Sequence, residues 1–551
     1  MKKIIKYISL VALLLGTPSC EDFLTVVPQD SLTADNYYNS EAKIRANTAT
    51  LYGAVWWTFD CQFMWLAGDE MAGDLYYTYD QEGQFFYFSY NNGNSYLTQG
   101  WQGLYRVVSY ANSVINDMPS AATNVSQSVI DKAVAEARFV RGVAYYYLTE
   151  YWGEVPIIES STDKIISGDL FVPKNTRKSC YEFMIRDFEY AAKTLPSVDE
   201  QAGRATKWAA KAMLAKVHLA YAASAMGNSS MYGDAATHFN AAKELCADVI
   251  KNSGRTLDSS FGNLFTVEGN NCSESLFAIQ CKTGAYTQGS SRNVNFSRSS
   301  VIADQTWGAG KGPTISLQKD FDQQKDVRRY WTYMHQGDYY PMLNKNNGGY
   351  TYKNYVEADN ENPNEMLAHI KKYVIGKSSD CNGNVGLNQD AGNNIHIIRL
   401  ADVYLMYAEA ILGTSASTTD AEALKYFNAV HSDRAGLTAA TSLTFENILK
   451  ERRLEFAFEA VRWLDIKRYY YRNSQAALAL LNSQKRELVY NLKNGYSTAE
   501  DRNNNDNYQE TVPTAGFVTV YDSQMFLPVP AEALTSNPRF AEPAVDYQFK
   551  D

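Results

Sequence analysis

The sequence predicts a mainly α-helical protein: a tetratricopeptide-like scaffold of paired helices carrying one large irregular region of loops and short strands. Three observations lead there. Apolar residues recur at spacings of three and four through consecutive segments long enough for four to six helical turns. Proline is scarce, 14 in 551 residues, in a chain that is 45% hydrophobic, which suits helices better than an all-β sandwich. Between about 254 and 395 the composition changes to Gly, Asn, Ser and Tyr, and the helical pattern stops.

The elements follow in order. Residues 36–59 read as a helix through Tyr37, Ile44, Leu51, Val55 and Phe59. From Trp56 to Tyr90 aromatics crowd together with Gly68, Gly73 and Gly83, which reads as a long loop region. Helices are expected at 95–117 and at 127–152, where Gly153 stops the second one and VPII runs extended. Segments 179–195, 205–225 and 233–252 continue the series. Inside the irregular region, SLFAIQC (275–281) has the character of a strand. A second helical block is expected at 398–412, 419–433, 443–471 and 474–483, before an irregular tail from about 495. Successive pairs suggest an α-solenoid, although no clean 34-residue self-similarity is present.

Charge and termini narrow the function. With 51 Lys+Arg against 61 Asp+Glu the net charge is −10, which excludes a nucleic-acid partner and disfavours attraction to anionic lipid. The N-terminus reads MKKIIKYISLVALLLGTPSC. Its basic start, short apolar stretch and small residues before Cys20 are the pattern of a bacterial lipoprotein signal, so residues 1–19 are assigned as signal peptide and Cys20 as the acylated residue. No other segment is long and apolar enough to span a bilayer. The other cysteines form no C-x-x-C pair; Cys272 and Cys281 could bridge a loop, with isolated thiols the favoured reading. The six histidines show no metal-ligand spacing. The oxygen-rich DNYYN (35–39) and NNNDNY (503–508) lack the spacing and closing Glu of a calcium loop, so neither a metal nor another cofactor is assigned.

Several landmarks then appear in one order along the chain: EDFLTVVPQDSLTADNYY (21–38), AEARFVRGVAYYYLTEYWGEVP (135–156), GRATKWAAKAMLAKVHLA (203–220), IRLADVYLMYAEA (398–410), FNAVHSDRAGL (427–437), ILKERRLEFAFEAVRWLDIKRY (448–469) and FLPVPAEALTSNP (526–538). KDVRRY (325–330) and KKYVIG (371–376) fall between them. The chain thereby resembles the SusD/RagB-like outer-membrane lipoproteins of Bacteroidetes. It departs from their pattern at His431 and Ser432, at Ala460 where Gly is usual, and in the closing RFAEPAVDY. The resemblance implies a helical region at 20–253, a loop-rich ligand-facing insertion at 254–397 and a helical region with a tail at 398–551, all one body. It implies a lipid-anchored protein facing the cell exterior, partnered with a SusC-like TonB-dependent transporter, which binds an oligosaccharide and does not cut it. A peptide- or glycopeptide-binding member is the first alternative; a glycan-degrading enzyme and a pure repeat scaffold rank below it.

Catalysis is tested on ERRLEFAFEAVRWLDIKR. A glycosidase needs two facing carboxylates, one of them with a raised pKa. Glu455 and Glu459 are interleaved with Arg452 and Arg462 at ion-pair spacing, which lowers carboxylate pKa, so a structural network is expected and no catalytic residue is assigned. Binding is read from the 40 tyrosines and 9 tryptophans. A flat ring matches the C–H face of a sugar while neighbouring polar groups take its hydroxyls. Tyr145, Tyr146, Tyr147 and Tyr404 sit at helical spacing and are assigned to the core. Two loop clusters remain, and from them Trp65, Tyr77, Trp307, Trp331 and Tyr340, with Asp69 and Asp74 as polar partners, are the expected ligand-binding residues.

Overall fold

The structure, a computed structural model, describes residues 37–549 apart from 161–167, 169, 358–360, 362 and 514–515. The signal segment and Cys20 lie outside the described residues. Helices dominate. After α1 (Glu41–Ala49) come α2 (Ser95–Asn116) and α3 (Gln127–Trp152), then α4 (Arg177–Thr194), α5 (Lys207–Gly227) and α6 (Ala235–Asn252). Each packs on the next from α2 onward, as in a solenoid of antiparallel pairs. The ends are set by local chemistry. The Asn94 side chain accepts from the Tyr96 and Leu97 amides at the start of α2, and Thr176 accepts from Ser179 at the start of α4. Gly153, at φ 79°, ends α3 where the sequence places the stop.

The second block begins at α7 (Leu400–Leu412), which packs against α6 across the whole intervening insertion. Then come α8 (Ala421–Asn428), α9 (Phe445–Phe456), α10 (Arg462–Arg472) and α11 (Ser474–Ser483). Helix α10 lies on α5, closing the two helical blocks on each other. One contiguous apolar core runs from Ile44 to Phe540 and includes residues of both blocks and of the insertion. Among the described residues no helix is long and apolar enough to cross a membrane.

Three expectations are revised. The helix read over 36–59 ends at Ala49 and continues as short turns, because at Gly53 the chain runs against the insertion. The Gln280 amide donates to Tyr52 O at 2.7 Å, and a Cβ on Gly53 would lie 2.9 Å from Gln280 O. The region read as a long loop, 56–90, is a buried series of short turns: Trp57–Asp60, Phe63–Trp65, a π-type turn Leu66–Glu70, strand β1 (Leu75–Tyr76) and helix Asp80–Phe86. The helix read over 443–471 breaks between α9 and α10, where Phe458 and Ala460 take φ of 64° and 62°.

The insertion is held by two-stranded antiparallel pairs. Strand β2 (Ser275–Ile279), the piece read as a strand, pairs with β8 (Ile395–Arg399). Strand β3 (Gly312–Pro313) pairs with β1, Leu75 opposite Pro313 and Tyr76 opposite Gly312. Strands β4 (Tyr333–His335) and β7 (Ala368–Ile370) pair, as do β5 (Tyr339–Tyr340) and β6 (Tyr350–Thr351). The tail adds the pair β9 (Val489–Leu492) and β10 (Tyr508–Thr511). Cys272 and Cys281 are free thiols. In the segment 503–508, Asn503 Oδ1 accepts the Tyr355 amide and Asn505 Oδ1 accepts Asn354 Nδ2, so these oxygens are used in packing the tail onto the insertion.

Candidate functional site

The β1–β3 pairing brings two distant segments together, and there the rings of Trp65 and Tyr77 face one ammonium group that also reaches the backbone carbonyl of Trp307. Lys311 sits in GAGKGP, between glycines that allow close approach. A Cβ on Gly308 would lie 2.4 Å from Phe296 C, and one on Gly310 would lie 3.2 Å from the Tyr77 ring. Lys311 Nζ stands 5.1 Å from the Trp65 ring centre and 4.4 Å from that of Tyr77, within cation–π range of both. It also donates to the Trp307 carbonyl at 3.3 Å and lies 3.6 Å from Glu82 Oε2. Trp307 is 48% exposed, Tyr77 is half-buried, Tyr79 beside it is 71% exposed, and Trp65 is fully buried.

Polar groups surround these rings. Glu82 Oε1 accepts from Gln62 Nε2 and from the Tyr96 hydroxyl, each at 3.1 Å. Behind it, Glu70 is buried, neither of its carboxylate oxygens has a hydrogen-bond partner among the described residues, and burial followed by the charge of Glu82 pushes its pKa well above the usual range. Burial lowers the pKa of Lys311, while Glu82 and Glu70 oppose that shift. Burial and the charges of Glu82 and Glu70 push the Tyr77 hydroxyl up to about 12. The arrangement offers an exposed indole at Trp307 and a half-buried ring at Tyr77, backed by the buried Glu82 and by the half-buried Gln62 and Tyr96 that donate to it.

The other expected residues are placed elsewhere. Asp69 and Asp74 are fully buried and have no face for a ligand. Asp69 accepts the Phe458 amide at 3.1 Å through one oxygen and the Ala460 amide at 3.0 Å through the other, bracing the break between α9 and α10. Asp74 pairs with Arg453 Nε at 2.7 Å. Trp65 supports the site from below, its indole donating to Cys61 O at 3.2 Å. Trp331 and Tyr340 form a separate constellation with Lys371, whose Nζ is 5.6 Å from the first ring and 5.8 Å from the second. Tyr340 is fully buried and stacked on Tyr330 at 4.5 Å. Trp331 packs over Gly262, where a Cβ would lie 2.3 Å from the indole. Trp331 borders one cavity of about 80 Å³ and another of about 380 Å³, the second shared with Phe261, Val327 and Arg434.

Comparison with known proteins sets this geometry in context. Residues 22–219 match a family described as "Starch-binding associating with outer membrane", and residues 248–542 match the SusD family. This chain belongs to the SusD family. A SusD-like protein of Bacteroides ovatus is 31% identical over 573 residues, covering 100% of this chain and 99% of its own. A solved structure described as a complex with a xylogluco-oligosaccharide superposes with a TM-score of 0.81 at 30% identity, covering 92% of this chain and 100% of that one. A laminarin-binding SusD-like protein shares the fold, with a TM-score of 0.66 at 20% identity over 91% of this chain and 98% of its own.

In this SusD-family chain the carboxylates of the 448–469 motif are structural. Glu455 accepts Arg399 at 2.6 Å, Arg434 at 2.7 Å and Arg328 at 2.9 Å; Glu459 accepts Arg399 at 2.8 Å and Lys372 at 3.0 Å. Burial alone would raise Glu459, but Arg399 and then Lys372 outweigh it and bring its pKa to about 2. Glu455 is likewise held below the usual range, chiefly by Arg399 and Arg434 against the cost of burial. The network is present, with different partners from those read from spacing: Arg452 pairs with Asp402 and Asp465, and Arg462 donates to Leu449 O. Lys311, Glu82 and Tyr96, which meet at this candidate site, were not among the residues expected from the sequence. Lys311 had one visible signal, a lone cation among three glycines directly after a loop tryptophan.

Proposed function

We propose that this chain is a cell-surface glycan-binding lipoprotein that captures an oligosaccharide and delivers it to a SusC-like TonB-dependent transporter, without cleaving it. The observation that carries the reading is the half-exposed indole of Trp307, on a residue whose backbone carbonyl accepts from the Lys311 ammonium that Tyr77 and Glu82 flank. An indole face with hydrogen-bonding groups beside it suits the alternating C–H and hydroxyl surface of a sugar. The relative crystallised with a xylogluco-oligosaccharide supports the ligand class, and the family described as outer-membrane-associated supports the location. Acylation of Cys20 would hold the protein to that membrane, with the TonB-dependent channel as its partner.

Isothermal titration against oligosaccharides from xyloglucan, laminarin and starch tests the reading. At least one should bind, and Trp307→Ala should weaken that ligand by about tenfold or more, roughly the value of one stacking ring. Flat traces for every glycan would sink it, and release of reducing ends from a bound glycan would replace it with an enzyme. Cys20→Ala should move the protein from the membrane to the soluble fraction of cells expressing the full chain.

A further inference from the structure

A further cleft shares no lining residue with the Trp307–Lys311–Tyr77 cluster. It encloses about 450 Å³ between α9, α11 and the short helix Ile315–Asp320, a volume suited to a small ligand. Its floor is apolar, with Ile315, Leu449, Leu480 and Leu488. Its charged lining holds five cations, Lys319, Lys450, Arg453, Arg462 and Lys485, against two carboxylates, Asp320 and Glu446. This excess of positive charge stands in a protein of net charge −10.

Most of these charges are already engaged. Arg453 is held by Asp74 at 2.7 Å and Asp320 at 2.5 Å, Lys450 reaches Asp320 at 3.4 Å, and Lys319 pairs with Glu510 at 2.7 Å outside the cleft. Glu446 accepts the Tyr469 hydroxyl at 3.2 Å. Arg462 is different. It is 3% exposed and, among the described residues, donates only to the Leu449 carbonyl at 2.9 Å and has no hydrogen-bond partner for its Nε. Burial, and then the like charge of Arg453, pull its pKa down to about 10, so the guanidinium is under-compensated where it stands. A buried arginine normally meets a carboxylate, because an unpaired buried charge is costly.

We propose that this cleft is a second ligand site, taking a small organic oxyanion, a phosphate or sulfate monoester with a short apolar stem. The oxyanion meets Arg462, with Lys450 and Lys485 at the mouth, and the stem lies on the leucine floor. The guanidinium suits a tetrahedral or planar oxyanion through paired N–H donors. The local positive field draws an anion against the overall charge.

Titration calorimetry of the full chain with hexyl phosphate should give one-to-one binding that weakens as salt rises. Inorganic phosphate should bind about tenfold more weakly, and hexyl glucoside, which has the stem without the charge, should not compete. Arg462→Gln should reduce hexyl phosphate affinity about tenfold or more. Because that residue is buried, the exposed pair Lys450→Glu and Lys485→Glu provides a variant that keeps its fold and should also lose about tenfold. No heat with hexyl phosphate up to millimolar concentration, competition by hexyl glucoside, or unchanged affinity in the double lysine variant would each overturn the proposal.

Discussion

At the scale of single residues, burial decides which acidic groups can serve a ligand. Asp60 is 2% exposed, one of its oxygens has no hydrogen-bond partner, and burial, opposed by Arg292, pushes its pKa up to about 8. The folded chain therefore keeps a proton that the unfolded chain releases near pH 4. Stability falls as pH rises from about 4 to about 8, by at most about 1.4 kcal/mol per pH unit for this group. Asp60→Asn should remove that slope: urea melts should show the variant gaining on the parent from pH 5 to pH 8, with no further gain above it. Lys311→Met tests the other sign of charge. It keeps a stem under the Tyr77 and Trp65 rings but loses the contact to the Trp307 carbonyl and to Glu82. Oligosaccharide affinity should fall several-fold and thermal stability should fall with it, because removing one partner leaves the largely buried Glu82 carboxylate without its cation.

At the scale of elements, the α9–α10 break is the most sensitive joint. Ala460 takes a left-handed backbone and Gly68 faces it, with a Cβ on Gly68 falling 2.5 Å from Ala460 Cα and Cβ. Ala460→Gly should be neutral or stabilising by up to about 1 kcal/mol, the left-handed cost outweighing the added chain entropy. Gly68→Ala should destabilise by about 1–3 kcal/mol because neither backbone can yield. Thermal unfolding of the two variants should shift in opposite directions or, for the first, not at all. This joint also shows how far the sequence could be read. Helical spacing runs through 443–471 without a proline or glycine, so nothing local announces the break; the cause is the Asp69 carboxylate, reaching in from the other end of the chain to take two amides. The paired helices themselves were legible, because apolar spacing and caps such as Asn94 and Gly153 act within a few residues. In the candidate site, the exposure of Trp307 fits its place in a loop, whereas the burial of Asp69 and Asp74 was not foreseen because clustering with rings does not reveal burial. Lys311 acquires its role only through β1–β3 pairing, a contact between residues far apart in sequence.

At the scale of the whole molecule, the buried ion pairs set the response to acid. Glu459, held at about 2, and Glu455 and Asp402, held lower than usual by their arginine and lysine partners, contribute stability above the unfolded carboxylate pKa near 4.3 and lose it as pH falls through the folded values. His218, pulled down to about 4 by burial and by His238 at 2.9 Å, resists protonation in the fold and adds a loss beginning below about pH 6.5. Between pH 7 and pH 4.5 the gain from Asp60 opposes the loss from His218, so chemical melts from pH 7 to pH 2 should show little net change followed by a steep decline below about pH 4.5. A flat profile down to pH 3 would contradict the network. The Asp69 brace has a further meaning for anyone who would cut this protein apart. The turn that supports Trp65 is tied to backbone almost four hundred positions later, so the platform cannot be excised with its own stretch of chain. A nick in an exposed loop of the insertion should leave two fragments that stay together and still bind, while either fragment made alone should not. The proposed binding face is a property of chain closure, and loop grafting onto another scaffold would carry the rings without the geometry.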